Sequence, residues 1–130
     1  MRLDLHAGAI LAAALALSAC GNGEELVEES SLRECLADEG MRVEAPDLAS
    51  GAALGNVSPD FRVLTGQGTR ADVVVQGTEQ KAKRSAADIR GALASFGAGS
   101  EVVARRNAIV VYEQAPSETS RAAIEGCLER

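Results

Sequence analysis

Aromatic side chains are almost missing from this chain: Phe61, Phe96 and Tyr112 occur, and there is no tryptophan in 130 residues. Stacking platforms for bases or sugar rings are therefore lacking. Histidine occurs once, as His6. A Ser-His-Asp arrangement away from the chain start is excluded, and no G-x-S-x-G is present. Zinc loses its commonest nitrogen ligand as well. Positive charge is in the minority, 13 Lys and Arg against 19 Asp and Glu, for a formal net charge of −6. Nucleic acid calls for a basic face that displaces counterions, so no nucleic-acid partner is expected. The acidic residues lack the spacing of an EF-hand loop. The most apolar stretch, residues 7–19, falls short of the ~20 residues a membrane-spanning helix needs. The length suits one domain.

That stretch reads AGAILAAALALSA, and Arg2 precedes it, partly offset by Asp4. Its length and position fit the apolar region of a secretory signal. It ends in Leu17-Ser18-Ala19-Cys20-Gly21. This sequence resembles the lipobox of bacterial lipoproteins, in which a leucine and two small residues precede a cysteine. The resemblance implies a signal peptide over residues 1–19, cut between Ala19 and Cys20. It also implies a diacylglyceryl thioether on Cys20, and attachment to the cell membrane on its extracytoplasmic side. Two acyl chains, at about 0.8 kcal/mol per buried CH₂, give stable anchoring where one would not. Competing readings of the run are cleavage after Ala16-Leu17-Ser18 or an uncleaved short anchor. With 24 alanines and 11 arginines against two lysines, the layout resembles that of small actinobacterial envelope lipoproteins.

Residues 20–30 read as the lipidated cysteine and an acidic tether, and residues 31–130 as a single small domain. The tether carries Glu24, Glu25, Glu28 and Glu29. Anionic headgroups would repel these and hold the domain off the surface; a merely solvated linker is the plainer reading. Ser31-Leu32-Arg33-Glu34 fits a capping box. Leu32, Cys35 and Leu36 then share one helix face, and Gly40 ends the helix. Met41–Glu44 alternates as a strand. Residues 46–60 form a long loop, in which Leu48, Ala53, Leu54 and Val57 are the candidate binding residues. A flexible connector is the alternative.

Two strands follow, Phe61–Thr65 and Ala71–Gln76, turning at Gly66-Gln67-Gly68. The unbroken Val73–Val75 run predicts a strand covered on both faces or central in its sheet. Thr78 caps a helix whose stripe is Ala82, Ala86, Ile89, Leu93 and Phe96. A hairpin turning at Arg106-Asn107 and a last helix from Pro116-Ser117 complete the order, with Ile124, Cys127 and Leu128 on one face. The expected fold is α+β, a mainly antiparallel sheet of four or five strands with two or three helices packed on one face, partly ferredoxin-like.

Cys35 and Cys127 form an even pair in an exported chain, each on the apolar stripe of a terminal helix, and are expected to be disulfide-bonded. A redox-active pair lacks C-x-x-C spacing; two buried free thiols are the remaining alternative. No metal or other cofactor is implied. Lys81, Lys83, Arg84 and Arg90 make one local excess of positive charge, read either as a solvated face or as a surface steered to anionic lipid or an acidic partner. The functional expectation is a non-catalytic interaction or structural module, anchored to the membrane through diacylglyceryl-Cys20 and able to meet an envelope protein. Its recognition surface would be an exposed sheet face or the 46–60 loop. The alternatives are a small-ligand carrier with that loop as lid, and a thiol-disulfide protein.

Overall fold

The computed structural model describes residues 25–46, 54–95 and 100–130. Its elements are α1 (Glu29–Asp38), β1 (Arg42–Glu44), β2 (Phe61–Leu64), β3 (Arg70–Val75), α2 (Glu79–Ala94), β4 (Glu101–Arg105), β5 (Ala108–Tyr112) and α3 (Glu118–Leu128). The five strands form one sheet in the order β1-β2-β3-β5-β4, every neighbouring pair antiparallel. The fold is α+β. In the β3-α2-β4 unit, β5 lies between the two strands that the helix joins, which is the split β-α-β arrangement.

The helices do not share one face. Leu32 and Leu36 of α1 and Ile124, Cys127 and Leu128 of α3 pack with Phe61, Val63, Val73, Val110 and Tyr112. Ala82, Ala86 and Ile89 of α2 pack on the other side, against Val74, Ile109 and Val111. The reason is the absence of alternation in β3 and β5. With helices on one face only, Val74, Ile109 and Val111 would stand in water, at about 1.5–3 kcal/mol each. All five residues of β5 are buried, as its central place requires.

The helix ends are set by local chemistry. Thr78 Oγ1 accepts from the Lys81 amide, and Ser117 Oγ from the Ser120 amide. Gly40, at φ +86°, ends α1 in a left-handed residue. Its amide reaches Ala37 O, and the Met41 amide reaches Leu36 O, a Schellman closure that brings Met41 into the core with Leu36. The capping box at Ser31 does not form. The helix starts earlier, at Glu29 with Glu28 as its cap residue, and no side chain caps it. Ser31 therefore lies within the helix, on its exposed side. A Glu29–Arg33 ion pair one turn apart supports the new start.

The tether is correspondingly shorter than its composition suggests. Val27 is buried in the α1–α3 core. The fixed part of the domain thus reaches back at least to Glu25. Residues 20–24 lie outside the described residues.

Candidate functional site

The β4–β5 hairpin turns on Arg106-Asn107, and this turn organises the corner where the chain enters the domain. Only the first of its two central residues has positive φ, +55° at Arg106. Arginine, not the asparagine that follows it, takes the left-handed conformation. That position of a hairpin turn is ordinarily glycine's. The strain is held by what the two side chains grip. Arg106 donates from Nε to Glu25 O at 2.9 Å and from Nη1 to Leu128 O at 3.0 Å and Arg130 O at 3.3 Å. Its Nη2 also pairs with the Glu25 carboxylate at 3.4 Å.

Asn107 is 2% exposed. Its Oδ1 accepts from the Val27 amide, and its Nδ2 donates to Val27 O at 3.0 Å and Gln76 O at 2.8 Å. Both amide hydrogens and the acceptor are therefore used, as burial of an asparagine requires. One turn binds the lead-in segment 25–27, the end of β3 and the end of α3 into a single corner. Sequence reasoning found this turn but not its role as a clamp.

Beside the clamp lies a groove of about 270 Å³, lined by Leu26, Val27, Glu28, Ser31, Leu32, Cys35, Cys127 and Arg130. It is smaller than the roughly 300–1,000 Å³ usual for small-molecule pockets. The Cys35–Cys127 disulfide forms part of its wall. This bridge joins α1 to α3 across 92 positions. Leu26 stands at the groove's edge and is 45% exposed.

A polar network lies against α3 on the same face. Arg121 pairs with Glu101 and Glu125, and Arg105 also reaches Glu125. The Arg121 guanidinium sits over the Tyr112 ring at 5.3 Å. Burial first, and the adjacent Glu125 carboxylate second, raise the Tyr112 hydroxyl above the ordinary tyrosine range. A raised folded value stabilises the fold fully below the unfolded value of about 10, and this contribution is lost as pH rises through the folded value. Urea midpoints should therefore fall above about pH 10, and Tyr112→Phe should flatten that fall. An equally steep loss in the phenylalanine variant would refute the assignment.

The other expected site residues are dispersed. Leu48 and Ala53 lie outside the described residues, as does Cys20. Leu54 is 3% exposed and packs with α2, and Val57 packs beside it. Among the described residues both belong to the core formed under α2. Helices pack on both faces of the sheet, α1 and α3 on one and α2 against β4 and β5 on the other. The carbonyls of Val102 and Ala104 on edge strand β4 accept from Arg90 and Arg105 guanidinium groups, which obstructs pairing with another strand. In the basic helix, Lys83 pairs with Glu79, while Lys81 and Arg84 are exposed.

Among the described residues no three His, Cys, Asp or Glu side chains converge as metal ligands. No helix among them is long and apolar enough to cross a membrane. Compared with models of protein families, with curated proteins and with solved structures, the chain matches none.

Proposed function

We propose that this chain is a non-catalytic module held at the extracytoplasmic face of the cell membrane through a diacylglyceryl group on Cys20. The observation that carries the reading is the fastening of Glu25–Val27 by Arg106 and Asn107. The domain is gripped five residues after the lipobox-like cysteine, at the point where pull from an anchor would arrive. Such pull would meet the hydrogen bonds of one turn and the burial of Val27. The Cys35–Cys127 bridge supports the same reading, because disulfides persist in oxidising compartments outside the cytosol. The role is structural or that of an interaction module, with an envelope protein as the fitting class of partner. The clamped corner and its groove are the candidate recognition surface.

The test is Cys20→Ala in the full chain, expressed in a bacterium with a lipoprotein-processing pathway and followed by membrane fractionation and intact mass. The unaltered chain should sediment with membranes and carry the mass of an acylated cysteine at its new amino terminus. The variant should accumulate as an unprocessed precursor. Identical processing of the two chains would overturn the anchor.

A further inference from the structure

Resting on the anchor reading, we propose that the groove at the clamped corner is an interface with a second copy of this chain, each copy placing Leu26 in the groove of the other. The first support is self-complementarity. A two-fold interface uses one patch twice, so that patch must hold both a projecting group and the recess that receives it. Here the two lie side by side. Leu26 is the large hydrophobic side chain that stays exposed among the described residues, and it stands on the edge of the groove. The groove is smaller than the usual small-molecule pocket, and a single aliphatic side chain is a guest of fitting size. Val27, Leu32 and the Cys35–Cys127 bridge give it an apolar wall.

The second support is charge. Glu28 and Arg130 both line the groove, yet they do not pair with each other. Arg130 reaches Glu39 at 3.2 Å and keeps 65% of its side chain exposed. Glu28 is exposed and has no cationic partner among the described residues. A two-fold axis beside Leu26 sets Glu28 of each copy against Arg130 of the other. One unmatched acid and one exposed base then become two ion pairs around a pair of buried leucines, an apolar centre with a charged rim. The net charge of −6 on each copy opposes association, but screening within about 8 Å leaves the groups at the contact dominant.

The third support is confinement. Five residue steps, at most about 18 Å, separate Cys20 from the clamped Glu25. The corners of anchored copies therefore share one shallow layer over the membrane and meet at the raised effective concentration that tethering gives. A contact centred on one groove is small beside the roughly 1,200–2,000 Å² of stable soluble complexes, so the dimer is weak in solution and forms on the membrane.

The experiment uses the acylated full chain in phosphatidylcholine vesicles, as an equal mixture of light and heavy-nitrogen copies with photo-leucine in place of leucine. Irradiation should give light–heavy adducts joining residue 26 of one copy to the groove of the other, at Ser31 or Leu32. Glu28→Arg and Arg130→Glu should each lower the yield about tenfold. A mixture of these two variants should recover it, because each supplies the charge the other has lost; damage to the fold would not be rescued by mixing. With acylation of Cys20 confirmed by mass, the absence of light–heavy adducts at residue 26 would overturn the dimer and leave the anchor intact. So would adducts from residue 26 to lipid acyl chains alone, which assign the corner to the bilayer. Replacement of the light–heavy adducts by adducts to another protein, when solubilised envelope proteins are reconstituted with the chain, would overturn it too. A chain without an acyl group on Cys20 overturns the anchor instead. The dimer then stands only if the unacylated chain at high concentration gives the same residue-26 adducts, and falls if it does not.

Discussion

Replacing Cys35 and Cys127 together by alanine should lower the unfolding free energy by about 4–5 kcal/mol. Cross-linking a loop of this size removes about 4.6 kcal/mol of chain entropy from the unfolded state, for a sequence separation of 92. A domain of this length has a total stability of roughly 5–15 kcal/mol, so the bridge is a large share of it. The core explains why so much is needed. The α2 face relies on two alanines and one isoleucine, and α1 buries only Leu32 and Leu36. Without the bridge, α1 keeps its place through those two leucines, Val27 and the Asn107 clamp. Urea unfolding followed by circular dichroism would measure the loss, and reduction of the unaltered chain should reproduce it. Amide exchange in the reduced protein should rise in α1 and the lead-in segment before it rises in β3 and β5. A loss below about 1 kcal/mol, or uniform exchange across the domain, would contradict this account. In the proposed location, the bond forms only after the chain has left a reducing cytosol, so full stability is acquired outside.

Most elements of the fold are legible in the sequence, because their determinants are local. Thr78, Gly40 and Ser117 mark helix ends by their own side chains or the lack of one. The apolar runs Val73–Val75 and Ile109–Val111 announce strands buried on both sides. They do not say which helix covers which side, and placing all helices on one face missed that division. The capping box at Ser31 failed for the same class of reason. Its hydrogen-bonding pattern is locally sound, but burial of Val27 pulls the helix start toward residue 29. Val27 is buried because Asn107 meets it, and the two are 80 positions apart. No periodicity or cap motif carries a contact of that separation. The arginine at positive φ is equally hidden, since what sustains it is the carbonyls of Glu25, Leu128 and Arg130. The disulfide was legible because Cys35 and Cys127 lie on the apolar stripes of the two terminal helices, beside Leu36 and Leu128. Leu54 was read as part of a binding loop because a run of small residues and prolines gives no sign of the α2 surface beneath it.

Asn107→Ala tests the clamp itself and should cost about 2–4 kcal/mol. The substitution leaves the Val27 amide, the Val27 carbonyl and the Gln76 carbonyl without their side-chain partner in a site 2% exposed. Each buried group left unsatisfied costs about 1–3 kcal/mol, and water admitted to the corner recovers part of the sum. Asn107→Asp should be worse at neutral pH. It keeps an acceptor for the Val27 amide but removes both donors and places a carboxylate opposite two carbonyl oxygens. Burial would raise that carboxyl group's folded pKa, so the variant should lose stability as pH rises past about 4. The local signature separates clamp from core. Amides of residues 25–28 should exchange freely in either variant, while β3 and β5 stay protected under native conditions. The double variant Arg106→Ala, Asn107→Ala, which also releases Glu25, lengthens the tether from five residues after Cys20 to eight, up to Glu28, the cap residue of α1. Its reach then grows from about 18 to about 29 Å.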